Sequence, residues 1–163
     1  MSKVEKEVGS REDQLVVFQL AQQTYGIDIA SVYEIIRMEK ITRVPRTPDF
    51  IEGVINLRGK IIPVIDLCKR FNLAETEKTS SSRIIIVDVG GNTIGIIVDA
   101  VSEVLSVPAD SIEPPPPMIH GIDAAYLRGI AILDDRLIIL LNLDKLLYEQ
   151  EKSELAEFAA ETA

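Results

Sequence analysis

Up to residue 142 the apolar residues of this chain come mostly in short, dense runs bounded by glycine, proline and polar clusters. Leu15-Val16-Val17-Phe18-Gln19-Leu20 reads as a strand, followed by a turn at Gln22-Gln23 and a second run, Tyr25-Gly26-Ile27-Asp28-Ile29. Residues 41–44 predict a short strand closed by Pro45-Arg46-Thr47-Pro48. Residues 53–57 and 60–65 predict a hairpin, because their β-branched content favours strands over helix. Pro63 falls inside the second arm, so its missing N–H has to face an unpaired side or a bulge. Residues 67–71 have room for one helical turn, and the polar, serine-rich stretch 75–82 predicts a connector. Beyond it, 83–89 and 93–98 predict a hairpin turning at Gly90-Gly91-Asn92. Residues 143–158 carry an amphipathic helical stripe, with Leu143, Leu146, Leu147, Leu155 and Phe158 on one side.

Two of these patterns occur twice. Residues 53–67 align without a gap on residues 129–143, apolar position on apolar position, with the turn at the same place. A weaker echo aligns 26–35 with 95–104, in the same order along the chain. One supersecondary unit used twice, built from many short strands, predicts a mainly β fold of two small barrels packed together. Two units of about 70 residues are each marginal alone, so they should share an interface.

Composition narrows the function. A formal net charge of −9 and a pI near 4.7 argue against nucleic acid and anionic membrane as partners, and ordinary solubility accounts for the charge. The one cysteine, Cys68, excludes an intramolecular disulfide and a cysteine-based zinc site, and its apolar setting favours packing over reactivity. Residues 1–13 read as a flexible polar tail without a signal-peptide core, and no apolar run is long enough to span a bilayer. A cytoplasmic location is expected.

No residue set names a catalytic, cofactor-binding or metal site. The lone histidine, His120, follows four prolines and reads as a polar loop residue. Gly-x-Ser-x-Gly, P-loop and His-Glu-x-x-His patterns are missing. Pro114 to Pro117 predict a stiff polyproline II spacer in preference to a ligand for another domain. Glu34 has two readings of equal weight. Ser31-x-x-Glu34 fits a helix capping box, whereas the following Ile35-Ile36-Arg37 looks like a strand. Arg58, at the turn between two buried runs, emerges beside hydrophobic surface. It can pair there with a carboxylate while its stem packs on apolar neighbours.

Gly53-Val54-Ile55-Asn56-Leu57-Arg58-Gly59, followed by Ile62-Pro63-Val64-Ile65-Asp66-Leu67, resembles the signature of the CheW family, the coupling proteins of bacterial chemotaxis. Tyr25-Gly26-Ile27-Asp28-Ile29, Val32-x-Glu34-Ile35, Gly95-Ile96-Ile97-Val98-Asp99, Val101-x-x-Val104-Leu105 and residues 129–147 extend the resemblance over 15–147. It implies two intertwined five-stranded SH3-like barrels, short helices and a C-terminal helix. The expected division is a tail at 1–13, a CheW-like domain at 14–147 and a C-terminal helix or tail at 148–163. Within the domain, one barrel lies mainly at 25–75 and the other mainly at 83–143, with strand exchange at the ends. The resemblance further implies a non-catalytic adaptor without cofactors, joining the cytoplasmic hairpin tip of methyl-accepting chemoreceptors to the regulatory domain of the histidine kinase CheA. Self-association in receptor arrays is a further expectation, and neither nucleic acid nor membrane insertion is. Val32, Glu34, Arg58 and Val104 match receptor-binding positions, with Ile27, Ile35 and Val101 as neighbours in an apolar groove. Gly53, Asn56, Gly59 and Gly95 are expected to set turn or strand geometry. In this reading Asn56-Leu57-Arg58-Gly59 faces a partner, while Leu133-Asp134-Asp135-Arg136 mainly closes the second barrel. A module reading proline-rich ligands is the rival, but it needs aromatics, and only 5% of the chain is aromatic.

Overall fold

The computed structural model describes residues 12–74, 77–119 and 122–162. Its strands are β1 (Glu12–Leu20), β2 (Gln23–Asp28), β3 (Val32–Arg37), β4 (Gly53–Leu57), β5 (Lys60–Asp66), β6 (Arg83–Val89), β7 (Asn92–Val98), β8 (Ala100–Pro108), β9 (Ile112–Glu113), β10 (Met118–Ile119), β11 (Ile122–Asp123), β12 (Leu127–Leu133) and β13 (Arg136–Leu141). The α-helices are α1 (Leu67–Arg70) and α2 (Glu149–Thr162), and single 3-10 turns fill several corners.

The strands form two main sheets, in the orders β3-β6-β7-β5-β4 and β8-β1-β2-β13-β12-β9. Each closes on itself because its edge segments are consecutive in the chain. In the first barrel the chain leaving β3 returns at Thr42, which exchanges two hydrogen bonds of 2.8 Å with Val54 of β4. In the second, β8 bends through a 3-10 turn at Ala109–Ser111 into β9, which pairs with β12. Gly53 and Gly129, equivalent in the repeat, both lie at these seams. A Cβ on Gly53 would meet the Thr42 carbonyl oxygen at 2.7 Å, and one on Gly129 the Glu113 carbonyl oxygen at 2.6 Å. Gly53 is therefore a seam glycine inside a strand and not a turn residue. Gly95 is likewise mid-strand, over the Ile84 side chain. Val54 spends its N–H and C=O on Thr42, and the β5–β7 ladder starts only at Val64. Pro63, opposite Val54, thus lies outside that ladder and its missing donor breaks no bond in it.

The division of strands differs from the expected one. The hairpin β6–β7, expected in the second barrel, belongs to the first, and β1–β2 belongs to the second. Whole hairpins, not strand ends, are exchanged. Burial gives the reason. Leu15 and Val17 point into the second barrel while Val16, Phe18 and Leu20 point into a core shared by both barrels. Ile84 and Ile86 fill the first barrel while Ile85, Val87 and Val89 join the shared core. Strands buried on both faces read as unbroken apolar runs, which is how 15–18 and 84–87 read. The one-sided β3, by contrast, alternates half-buried and exposed residues.

Smaller differences follow local chemistry. Glu12 and Asp13, expected in the tail, pair with Pro108 and Val107 of β8; the rest of the predicted tail lies outside the described residues. The β1–β2 turn is Ala21-Gln22, one residue earlier than predicted, with both residues at positive φ and the Ala21 N–H held by Asp99 at 2.8 Å. Residues 41–44 make no strand, only the Thr42 bridge, because the chain crosses the seam there before Pro45. The helix predicted over 143–158 is broken. Asn142 caps a 3-10 turn at Leu143–Lys145, and α2 starts afresh at Glu149 with the Tyr148 N–H on the Glu151 carboxylate. Its stripe is buried as predicted, since Leu143, Leu146, Leu147, Leu155 and Phe158 all join the shared core. Arg70 of α1 fastens this segment to the first barrel. It donates to both Glu151 oxygens at 2.9 and 2.5 Å and to the Leu146 carbonyl at 3.0 Å, and lies 5.0 Å from the Tyr148 ring centre.

The Tyr25 ring stacks on Phe18 within the shared core, and its hydroxyl finds no hydrogen-bond partner among the described residues. Burial, with a smaller contribution from Cys68, pushes its pKa up to about 12. An unsatisfied buried hydroxyl is a net cost. Tyr25→Phe is expected to stabilise the fold by about 1 kcal/mol, raising Tm by about 2–4 °C. Between pH 10 and about 12 the unfolded chain releases this proton and the folded chain keeps it, so stability falls over that window. Tyr25→Phe should reduce that fall, as read by denaturant melts at pH 9 and pH 11. At the seam, Gly53→Ala puts a methyl group against the Thr42 carbonyl and should cost about 2 kcal/mol or more in the same melts.

Candidate protein-interaction surface

The β4–β5 turn has two residues, with Leu57 paired to Lys60 and both central residues at positive φ, +53° for Arg58 and +86° for Gly59. This is the backbone of a hairpin turn that favours asparagine-glycine, and Gly59 fits it. Asn56 completes it by accepting the Gly59 N–H at 2.8 Å. Arg58 does not fit. A residue with a Cβ costs about 1 kcal/mol or more in the left-handed region, and arginine has no short polar side chain to offset that. The side chain, not the backbone, is what this position provides.

That side chain reaches β3. Arg58 Nη2 donates to Glu34 Oε2. Glu34 sits where β3 shifts register against β6, between the Val32 and Glu34 pairings. The capping-box reading of Glu34 fails, since the 3-10 turn before β3 is capped by Asp28, whose carboxylate accepts from the Ala30 N–H at 2.9 Å. With side chains 70% and 36% exposed, the Arg58–Glu34 pair adds little to stability. It lies in a cleft of about 450 Å³ at one end of the first barrel, walled by Tyr33, Leu57, Lys60, Ile62, Ile86 and Thr93. Outside the cleft, Ile35 and Ile61 are exposed on the same barrel.

Of the other residues singled out, Val104 stands on β8 of the second barrel and is 53% exposed. Val32 and Val101 are half-buried against the shared core, at equivalent places in the two copies. Ile27 is 1% exposed inside that core, and no partner reaches it in the closed structure. Of the residues expected in an apolar groove, Ile35 and Val104 are exposed, and Val32 and Val101 are half-buried against the shared core. His120 lies outside the described residues, and Pro114–117 form an irregular link between β9 and β10. Cys68 is buried. Among the described residues no group of three or more His, Cys, Asp or Glu could hold a metal ion, and no helix is long and apolar enough to cross a membrane.

The second barrel carries a related surface that the sequence reading missed. Arg136 donates to Glu103 at 2.9 Å, and Val104, Ile132 and Leu137 are exposed around the pair. By the repeat, Glu103 is equivalent to Glu34, Val104 to Ile35 and Leu137 to Ile61. Arg136, at the end of the Leu133-Asp134-Asp135-Arg136 turn, thus also links β13 to β8. The signal was present in the alignment of the glutamates, but the arginine is displaced: Arg58 aligns with Asp134, two positions before Arg136.

The architecture is thus two β-barrels sharing a core, each with an exposed arginine–glutamate ion pair, Arg58–Glu34 and Arg136–Glu103. The chain belongs to the CheW family: the CheW-like domain model matches residues 14–151. It is 40% identical over 138 residues to the chemotaxis protein CheW of Klebsiella aerogenes, covering 85% of this chain and 83% of that protein. It is 37% identical to the chemotaxis protein CheW of Treponema pallidum, covering 91% and 90%. The crystal structure of the scaffolding protein TtCheW from Thermoanaerobacter tengcongensis superposes with a TM-score of 0.78 at 51% identity, over 85% of this chain and 89% of that one.

Because the left-handed turn is indifferent to the arginine side chain, Arg58→Asn should leave Tm unchanged or raise it by a few degrees, corresponding to about 1 kcal/mol. A thermal melt checks this, and a large loss of Tm would make the arginine structural.

Proposed function

We propose that this protein is a non-catalytic adaptor that couples methyl-accepting chemoreceptors to the histidine kinase CheA. Family membership supports the class of function, and the relatives are named as chemotaxis and scaffolding proteins. The observation that carries the reading is Arg58. A strained, exposed arginine paired with Glu34 beside aliphatic surface contributes little to folding, and strain held at such a place points to binding.

The receptor hairpin tip lies along the surface formed by Ile35, Val32, Val101 and Val104, and aliphatic contact supplies most of the affinity. Arg58 and Glu34 set its register, since polar pairs at an interface rim govern specificity more than affinity. The kinase regulatory domain binds a separate face. Coupling requires that receptor states be bound with different affinities, because a ligand that binds two states equally shifts nothing. The adaptor acts in the cytoplasm, at membrane receptor clusters, and self-association within arrays belongs to the same reading.

The test combines the purified protein with soluble receptor signalling fragments and CheA, measuring ternary assembly and kinase autophosphorylation. Receptor-dependent change in kinase activity is expected with the native chain. Arg58→Ala and Val104→Asp should each weaken receptor binding about tenfold, near 1.4 kcal/mol, with the fold retained. Binding to neither partner overturns the adaptor reading. Unaltered receptor affinity in both variants removes this surface from it.

A further inference from the structure

We infer that the loop between β3 and β4 holds a second recognition site, a basic cleft that binds an acidic protein segment. The loop, residues 38–52, carries Lys40, Arg43 and Arg46 against Glu39, Asp49 and Glu52, in a chain whose formal net charge is −9. Glu52 is engaged by Lys69 at 2.9 Å, and Arg37 adjoins at the end of β3. Elsewhere in the described residues, cations mostly find carboxylates: Arg58, Lys69, Arg70, Lys78, Arg128, Arg136 and Lys152 are all in ion pairs. None of the four cations at 37–46 is in an ion pair within the described residues.

Arg43 and Arg46 wall a cleft of about 410 Å³ together with Pro45, Thr47 and Pro48. Asp49, also on its wall, forms no ion pair with either arginine. The cleft is held in shape from within. The Thr47 hydroxyl donates to the Val44 carbonyl, the Ile51 N–H donates to the Pro48 carbonyl at 3.0 Å, and the two prolines fix the chain on either side of Arg46. Arg46 itself adopts φ +64°, the left-handed region that an arginine disfavours. Arg46 thus repeats the pattern of Arg58: an exposed arginine on a strained backbone, lining a cleft.

Two preorganised guanidinium forks are suited to carboxylates, which they bind bidentately. An acidic protein segment fits better than an anionic bilayer. None of the large exposed apolar side chains lies in residues 36–60, so the loop offers nothing to insert into a membrane. The chain's overall negative charge also opposes approach to an extended anionic surface, whereas a short acidic segment stays within the local field of the loop. This inference stands apart from the adaptor reading, since it needs no receptor or kinase.

The experiment measures fluorescence anisotropy of a labelled ten-residue glutamate peptide with the full-length protein at 50 mM and 300 mM salt. Saturable binding that weakens about tenfold at the higher salt is expected. Arg43→Gln/Arg46→Gln should weaken it at least tenfold at unchanged Tm. Lys145→Glu, which alters net charge equally at an exposed lysine elsewhere that is in no ion pair among the described residues, should leave it within about twofold. No saturable binding, or equal weakening by Lys145→Glu, overturns the site. Loss of phosphatidylserine vesicle binding in the double variant, with peptide binding intact, would assign the loop to membrane instead.

Discussion

The exchange of the β1–β2 and β6–β7 hairpins is the constraint on which the molecule rests. Each hairpin lines one barrel with its inner face and the shared core with its outer face, so neither barrel is complete without the other half of the chain. The parallel pairings β5–β7 and β2–β13 are the joints of this exchange, and they fall at equivalent places, Val64 on Gly95 and Leu140 on Gly26. Everything exposed is hung from this doubly buried centre. β3 and β8 lie outside it, one-sided, and carry the glutamates and aliphatic residues of both candidate surfaces. The Arg70 clamp then ties the segment leaving the second barrel to the helix leaving the first.

Much of this was legible in the sequence. The two echoes make the parallel pairings equivalent, because residues 26 and 95, and residues 64 and 140, correspond in them, but the pairings themselves came only with the structure. The apolar runs at 15–18 and 84–87 have the pattern of strands buried on both faces. What they could not announce was the owner, since a hairpin apolar on both sides reads the same whichever barrel accepts it. The helix break at 146–148 was hidden for a similar reason: a 3-10 turn followed by a helix buries nearly the same leucines as one continuous helix. Ile27, expected in the groove, is buried in the shared core because β2 lies between β1 and β13 in the sheet, which its own residues could not show.

At the candidate surface, the sequence marked Glu34 and Arg58 but not the left-handed backbone at Arg58, which needs the turn geometry to be seen. That backbone distinguishes Arg58 from an arginine in an ordinary turn. The same holds for Arg46, whose neighbours Pro45 and Pro48 read only as a strand stop. The Glu103–Arg136 pair escaped notice because the repeat keeps the acid in place and moves the base by two positions.

The hairpin exchange also describes what kind of object this chain is. Two copies of a motif, each donating a hairpin to the other, amount to a domain-swapped dimer whose protomers have been joined end to end. Residues 71–82, with no strand or helix of their own among those described, do the joining. They replace protein concentration with a fixed local concentration, on the order of millimolar for a tether this short. Assembly of the pair is thereby independent of how much protein is present. The joining also frees the two copies from identity, and the turns at Arg58 and Asp134 have become different surfaces on one scaffold.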